Sequence, residues 1–191
     1  MSGELVAWTC ALSFLAYAIV AERLRARVRR GRTTIRRGNA VAQYLPLFIW
    51  VPYVVIALRP GPELAFPDAV RWAGLALVFG GIGFSMWAAR TLGRHFDMEV
   101  EVHEGHEVVD RGPFAIVRHP VYFGLGVHLL GACLATGNWL LILGTLFGAF
   151  PTLFFRASSE ERLLRESLGP AYDAYAKRVP MLFPLRFCRS A

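Results

Sequence analysis

The chain has 191 residues, of which 55% are apolar and 18% charged, with a formal net charge of +7 and a mean hydropathy of +0.41. Ordinary soluble domains are about 45–50% apolar and about 25% charged. The apolar excess is clustered into long uncharged runs, which excludes an ordinary cytosolic enzyme, a disordered chain and a disulfide scaffold.

Five hydrophobic segments stand out, at residues 5–21, 41–58, 69–89, 121–136 and 139–155. A span needs roughly 20 residues at about 1.5 Å per residue, with about 17–25 tolerated. The third fits best. The last two are short, are joined only by Gly137 and Asn138, and read as a helical hairpin. The first run lacks a preceding basic region and a following small-residue cleavage site, so it reads as a span and not a cleaved signal.

With the N-terminus outside, the segments 22–40, 90–120 and 156–191 are cytoplasmic. They hold 8, 4 and 7 Lys and Arg, leaving only Arg59 and Arg71 elsewhere. This asymmetry predicts five crossings with the C-terminus inside. The block of eight arginines after the first run reads as a topology signal and a contact for anionic lipids, not as a nucleic-acid surface. One lysine against many arginines suggests a bacterial chain and hence its inner membrane. Cys10, Cys133 and Cys188 are scattered, without the spacing of a disulfide framework or a zinc site.

Within the spans, Pro46, Pro52 and Pro151 predict kinks. Gly74, Gly80, Gly81, Gly83 and Ser85 predict a small-residue face for close helix packing. His128 is the ionisable group of the fourth span. It is either a packed structural histidine or part of a pocket.

The polar residues cluster in the cytoplasmic segments. Phe96, Met98, Val100 and Val102 alternate with Asp97, Glu99, Glu101 and His103. This period of two predicts an extended stretch. His95, His103 and His106 lie near six acids, but no zinc spacing appears, since HEGH is not HExxH. The segment reads as a solvated loop and no metal is expected.

Next comes GPFAIVRHPVYFG, residues 112–124. Gly112–Pro113 is a turn signal, and Pro120 suits the first turn of the fourth span, with His119 biased to extended backbone. Arg118, His119 and Tyr122 therefore sit at a helix mouth, where free N–H groups favour an anionic group. Two readings stand side by side: a polar ligand site, or an arginine snorkelling to headgroups beside a capping histidine.

After the fifth span, Ser158 or Ser159 is expected to N-cap a helix with Glu160 and Glu161 in its first turn. Arg156 and Glu160 share a face if the helix is continuous there. They are either a surface ion pair or functional groups at a membrane-embedded mouth. Gly169–Pro170 ends that helix, and a second short one follows from Ala171–Tyr172.

Taken in order, RHPxYxG, Arg156, the Glu160–Glu161 pair and LGPAYDAYAKRVPMLFP resemble the isoprenylcysteine carboxyl methyltransferase family over roughly residues 85–185. Phospholipid N-methyltransferases share a similar RHPxYxG block. The resemblance implies an all-α polytopic membrane protein with five transmembrane helices, a single domain over 1–191. Residues 1–68 form a two-span region and 69–191 the methyltransferase core. A C-terminal helical tail closes a cytoplasmic pocket for S-adenosylmethionine, with S-adenosylhomocysteine as product. By resemblance, His106, Val108, Val109 and Gly112 line the adenosine side. Arg118, His119, Tyr122 and Glu161 hold the cofactor, and Arg156 and Glu160 face the methyl group and a lipophilic acceptor arriving from the bilayer. Two departures stand out: Phe114 occupies a position often held by tyrosine, and His95–Phe96–Asp97 is atypical.

A carboxylate acceptor is already ionised and needs no base, whereas an amine, thiol or phenol must lose a proton, for which Glu160 is the candidate. The rival expectations are a membrane NADPH-dependent reductase of related architecture, and a non-catalytic transporter or assembly partner. The chain has no internal repeat of the kind transporters carry.

Overall fold

The computed structural model describes residues 3–29, 34–37, 62–93, 101–103 and 108–184. Three stretches in it are helical, long and apolar enough to cross a membrane: Glu4–Leu24, Asp68–Leu92 and Trp139–Leu168. The protein is thus helical and membrane-integral. The expected second span, with Pro46 and Pro52, lies outside the described residues.

Helix α1 (Gly3–Arg29) buries Val6, Cys10, Phe14, Tyr17 and Ala21 and turns Leu5, Trp8, Leu12, Leu15 and Ile19 outward. An apolar outer face beside an apolar inner one is what a lipid solvent permits. Helix α2 (Asp68–Leu92) packs along α3 (Pro120–Thr136) at backbone contact. A Cβ on Gly74 would lie 2.5 Å from the Ala135 nitrogen, one on Gly81 2.4 Å from the Gly124 oxygen, and one on Gly131 2.6 Å from the Gly74 oxygen. Close approach of this kind is how helices associate where lipid tails remove the hydrophobic drive between them. Ser85 adds a hydrogen bond to the Val121 carbonyl at 3.0 Å. The packing stripe is narrower than expected. Gly80 and Gly83 have open space where a Cβ would be, because they fall off the face that Gly74, Gly81 and Ser85 share.

His128 is fully buried on α3. Its Nδ1 lies 3.3 Å from the Val78 carbonyl and its ring packs against Phe14 at 5.9 Å. It is a packed histidine between α1, α2 and α3.

Gly137, at φ 68°, ends α3, and the Asn138 side chain caps α4 (Trp139–Gly144) by accepting from the Leu141 N–H at 3.1 Å. The expected tight hairpin is therefore present. Residues 62–64 clamp its tip: the Leu64 N–H donates to Gly137 O at 2.8 Å, and Glu63 pairs with Arg71 at 3.3 Å.

A π turn at Thr145–Ala149 links α4 to α5 (Phe150–Leu168). It stands just before Pro151, which removes a backbone donor and would clash in a regular helix. The expected distortion thus takes the form of a π turn. The expected short last helix is corrected, because the helix begun at Trp139 runs on to Leu168. Nothing between Phe155 and Gly169 breaks it. Ser158 and Ser159 accordingly lie inside α5 and cap nothing; Ser159 returns its hydroxyl to the Phe155 carbonyl at 2.9 Å. Gly169, at φ 54°, ends α5, and α6 (Pro170–Arg178) follows as expected.

Among the described residues, the two strands form a short antiparallel ribbon, and Glu63 and Asn138 make a single isolated bridge. β1 (Thr34–Arg37) pairs with β2 (Glu101–His103), Arg37 opposite Glu101, with an irregularity between Thr34 and Arg36. The expected extended stretch is seen at Glu101–His103; residues 96–100 lie outside the described residues.

Candidate active site

The mouth of α3 is where three elements meet. Gly112 (φ 59°) opens a 3₁₀ turn, Gly112–Ala115, that leads through Arg118 and His119 to Pro120 in the first turn of α3. The tail α6 and the residues after it lie across this approach. The Arg118 N–H donates to Pro180 O at 2.9 Å and the His119 N–H to Met181 O at 3.1 Å. Tyr175 donates its hydroxyl to the Phe114 carbonyl at 2.7 Å. Phe114 is buried and serves this contact through its backbone, so the missing hydroxyl of the usual tyrosine does not disturb it.

Arg118 points inward and does not snorkel. Its side chain is 10% exposed and grips Glu161, while one terminal nitrogen donates to the carbonyls of Ala176, at 2.9 Å, and Val179. A single guanidinium thus ties α5 to the tail. Such charge-assisted bonds hold well only where the charges are paired.

His119 does not cap α3. Its ring stacks on Tyr122 at 5.7 Å and 13°. It sits between the two acids, Nδ1 3.7 Å from Glu160 and Nε2 3.5 Å from Glu161. Nε2 is buried with no hydrogen-bond partner, as is the Tyr172 hydroxyl.

Tyr122 joins the other pair. It donates to Glu160 Oε2 at 2.8 Å and accepts from Arg156 Nε at 2.9 Å. The Arg156 guanidinium also lies 5.8 Å from the Tyr122 ring centre. Continuity of α5 through 156–160 places Arg156 and Glu160 on one face, as anticipated. Arg156 is buried. Glu160 is the more open of the acids, 33% exposed against 12% for Glu161.

The structure therefore brings Arg118, His119, Tyr122, Arg156, Glu160 and Glu161 together. Val108 lies to one side, packed against Tyr172, Tyr175 and Val179 of the tail, and Val109 is half-buried beside it. Gly112 lies at the end of α2, where a Cβ would touch Thr91 at 3.4 Å. His106 lies outside the described residues, as do His95, Phe96 and Asp97.

Three groups escape a reading of the sequence. Arg165 reaches Glu161 at 3.5 Å, pairs with Asp173 and lies 5.8 Å from the Tyr172 ring centre. Its spacing of four from Glu161 is the signal available for it. Burial pushes the phenols of Tyr172 and Tyr175 well above the usual tyrosine range. For Tyr172 the Glu161 charge adds to this and Arg118 offsets part of it; for Tyr175 Arg118 offsets part. Both hydroxyls are therefore neutral at physiological pH. The third is Tyr17, a phenol buried on α1 beside Phe14; nothing in an apolar first helix singles it out.

Residues 69–171 match the family described as phospholipid methyltransferase. Among curated relatives, the chain is 30% identical over 126 residues to a probable protein-S-isoprenylcysteine O-methyltransferase of Oryza sativa subsp. indica, covering 62% of this chain and 63% of that protein. It is 36% identical over 85 residues to the protein-S-isoprenylcysteine O-methyltransferase of Schizosaccharomyces pombe, covering 44% of this chain and 35% of that one. It is 32% identical over 143 residues to the nickel-cobalt-cadmium resistance protein NccN of Alcaligenes xylosoxydans xylosoxydans, covering 71% and 63%. The matches thus span under two thirds of these relatives' lengths. They bear out the resemblance to isoprenylcysteine carboxyl methyltransferases, and the chain belongs to the phospholipid methyltransferase family.

Proposed function

We propose that the protein is an integral-membrane methyltransferase that moves a methyl group from S-adenosylmethionine to a lipophilic acceptor, a carboxylate foremost. The observation that carries this reading is the Arg156–Tyr122–Glu160 chain of hydrogen bonds at the mouth of a membrane helix, in a member of this family. A buried guanidinium beside an open carboxylate suits orienting an anionic acceptor and, for an amine or thiol, taking its proton.

The donor set fits the cofactor. His119 Nε2 and the Tyr172 hydroxyl are buried with no hydrogen-bond partner, and the Glu160 and Glu161 carboxylates stand 3.7 and 3.5 Å from the His119 ring nitrogens. His119, Tyr122 and Glu161 would hold it, with His106, Val108, Val109 and Gly112 toward the adenosine. Arg118 acts through its grip on Glu161 and on the tail. When bound, S-adenosylmethionine supplies an electrophilic methyl on a sulfonium. The chain's part is alignment and exclusion of water. Arg156 orients the acceptor oxygens, Tyr122 fixes Arg156 and Glu160 relative to each other, and the tail covers the mouth.

The acceptor enters sideways from the bilayer, and membrane lipids are its surroundings. In this reading the chain is one membrane domain with its core at 69–191, five spans, the N-terminus outside and the site at the cytoplasmic face of a bacterial inner membrane. The distribution of Lys and Arg supports that orientation.

Calorimetric titration of the detergent-purified protein with S-adenosylmethionine, with NADPH in parallel, tests the class. Saturable binding of the former alone, weakened in His119→Ala, is expected. Binding of NADPH alone would replace this reading with a reductase.

A further inference from the structure

Two side-chain polar atoms among the described residues are buried with no hydrogen-bond partner, His119 Nε2 and the Tyr172 hydroxyl. His119 already has a place in the site; Tyr172 has none. Tyr172 stands in the first turn of α6 and is 3% exposed. Its ring is held on two sides. It meets the Tyr175 ring edge-on at 5.8 Å, and the Arg165 guanidinium lies 5.8 Å from its centre. The same Arg165 reaches Glu161 at 3.5 Å, and Glu161 stands 3.5 Å from His119 Nε2. Arg118 grips Glu161 as well and donates to the Ala176 carbonyl at 2.9 Å, one turn along α6 from Tyr172. Contacts from α3, α5 and α6 thus converge on Glu161 and hold Tyr172 in the same cluster. Tyr175 makes the contrast. It is equally buried, yet its hydroxyl is satisfied by the Phe114 carbonyl at 2.7 Å. A buried hydroxyl without a partner is destabilising, and a phenylalanine would fill the same space without that cost. A group kept under those terms calls for a ligand. Its surroundings select the part of the ligand. Burial keeps the phenol protonated, so it can both donate and accept. Its neighbours Val108, Leu164 and Leu168 are apolar, and the nearby Glu161 is already paired with Arg118 and Arg165. A neutral hydroxyl in apolar and aromatic walls suits a flat, neutral group bearing heteroatoms, such as a purine nucleoside, better than an ammonium or a carboxylate.

We propose that the Tyr172 hydroxyl is a cofactor-binding group that hydrogen-bonds the adenosine part of S-adenosylmethionine, so that the tail supplies a recognition atom as well as a cover. This rests on the methyltransferase reading above. The free protein carries the unmet hydroxyl, and the bound nucleoside meets it. Arg118 and Tyr175 fix α6 in place, and Tyr172 reads what lies beneath it. Stability and affinity are then opposed at this one oxygen: removing it relieves the free protein and weakens the loaded one.

Tyr172→Phe keeps the ring between Tyr175 and Arg165 and removes only the hydroxyl. The full chain and this variant are compared in detergent by thermal unfolding and by calorimetric titration. The ligands are S-adenosylmethionine, S-adenosylhomocysteine and 5′-methylthioadenosine, the last lacking the amino-acid part. We expect the ligand-free variant to melt higher than the wild type while its affinity for all three ligands falls by a similar factor, about three- to tenfold. Tyr175→Phe, which removes a paired hydroxyl from the same cluster, should instead melt lower. A loss of affinity under about threefold overturns the proposal. So does a lower melting temperature in ligand-free Tyr172→Phe, the mark of a hydroxyl with a structural partner, or a rise shared by Tyr175→Phe. A loss confined to the two ligands with the amino-acid part, or a wild type that binds those two and not 5′-methylthioadenosine, overturns the assignment to adenosine. A wild type that binds none of the three overturns the methyltransferase reading and this inference with it.

Discussion

Arg156 donates its Nε proton to the Tyr122 hydroxyl at 2.9 Å across 34 positions of sequence. Because that hydroxyl donates onward to Glu160, one phenol oxygen sets the relation between the site's buried cation and its most open acid. Hydrogen bonds to charged groups contribute about 1.5–3 kcal/mol each. We therefore expect Tyr122→Phe to lower kcat/KM by about 10- to 100-fold while the helix packing survives, measured by steady-state kinetics beside a melting curve.

The two ends of the site should separate by variant. Arg156→Ala and Glu160→Gln are expected to abolish turnover with cofactor binding largely kept. His119→Ala, which removes the ring stacked on Tyr122, should weaken cofactor binding itself. Calorimetry on all three variants checks this. An equal loss of cofactor affinity in each would sink the division of roles.

Arg118 is expected to matter for the tail as much as for the ligand. Arg118→Ala removes the bonds to Ala176 and Val179 and strips Glu161 of its closest cation. Breaking one partner of a buried pair costs about 3–5 kcal/mol. We predict faster hydrogen exchange and earlier proteolytic cleavage across residues 170–184, ahead of global unfolding. Unchanged protection there would show that Tyr175 with its apolar neighbours and the backbone bonds to Pro180 and Met181 are enough to hold the tail.

The contact between α2 and α3 makes a sharp contrast among glycines. A Cβ on Gly124 would stand 2.5 Å from the Gly81 carbonyl oxygen, whereas one on Gly80 meets nothing within 4 Å. Gly124→Ala should lower stability by about 1–3 kcal/mol through overpacking. Gly80→Ala should be neutral or slightly stabilising, since it relieves glycine's entropy cost in a helix. Thermal unfolding in detergent reads both.

Tyr172 carries its hydroxyl buried and unpaired. An unmet polar group costs about 1–3 kcal/mol, so Tyr172→Phe should raise the melting temperature of the ligand-free protein. A drop would mean that the hydroxyl has a partner in solution.

Much of this arrangement is written into local sequence. Gly137 and Asn138 specify the hairpin by a left-handed residue followed by a capping amide, both short-range chemistry. Pro120 and Gly169–Pro170 set the bounds of α3, α5 and α6 for the same reason. The spacing of four puts Arg156 and Glu160 on one helix face, whereas Glu161 enters as a site residue only through the family resemblance. The start of their helix is not legible locally, because a serine that looks like a cap is equally content to bond the carbonyl four residues back once the preceding turns are already helical.

What only the tertiary structure decided is which of these groups meet. Sequence spacing does not reveal that Arg118 is committed to Glu161 and two tail carbonyls, or that Gly80 and Gly83 fall outside the packing stripe. Each of these depends on the rotation and register of one helix against another. That register is set by the summed contact of small residues such as Gly74, Gly81, Gly124 and Gly131, and no single position in the chain encodes it. Helix existence is a local free energy, whereas the site is a property of three helices and a tail held at one distance.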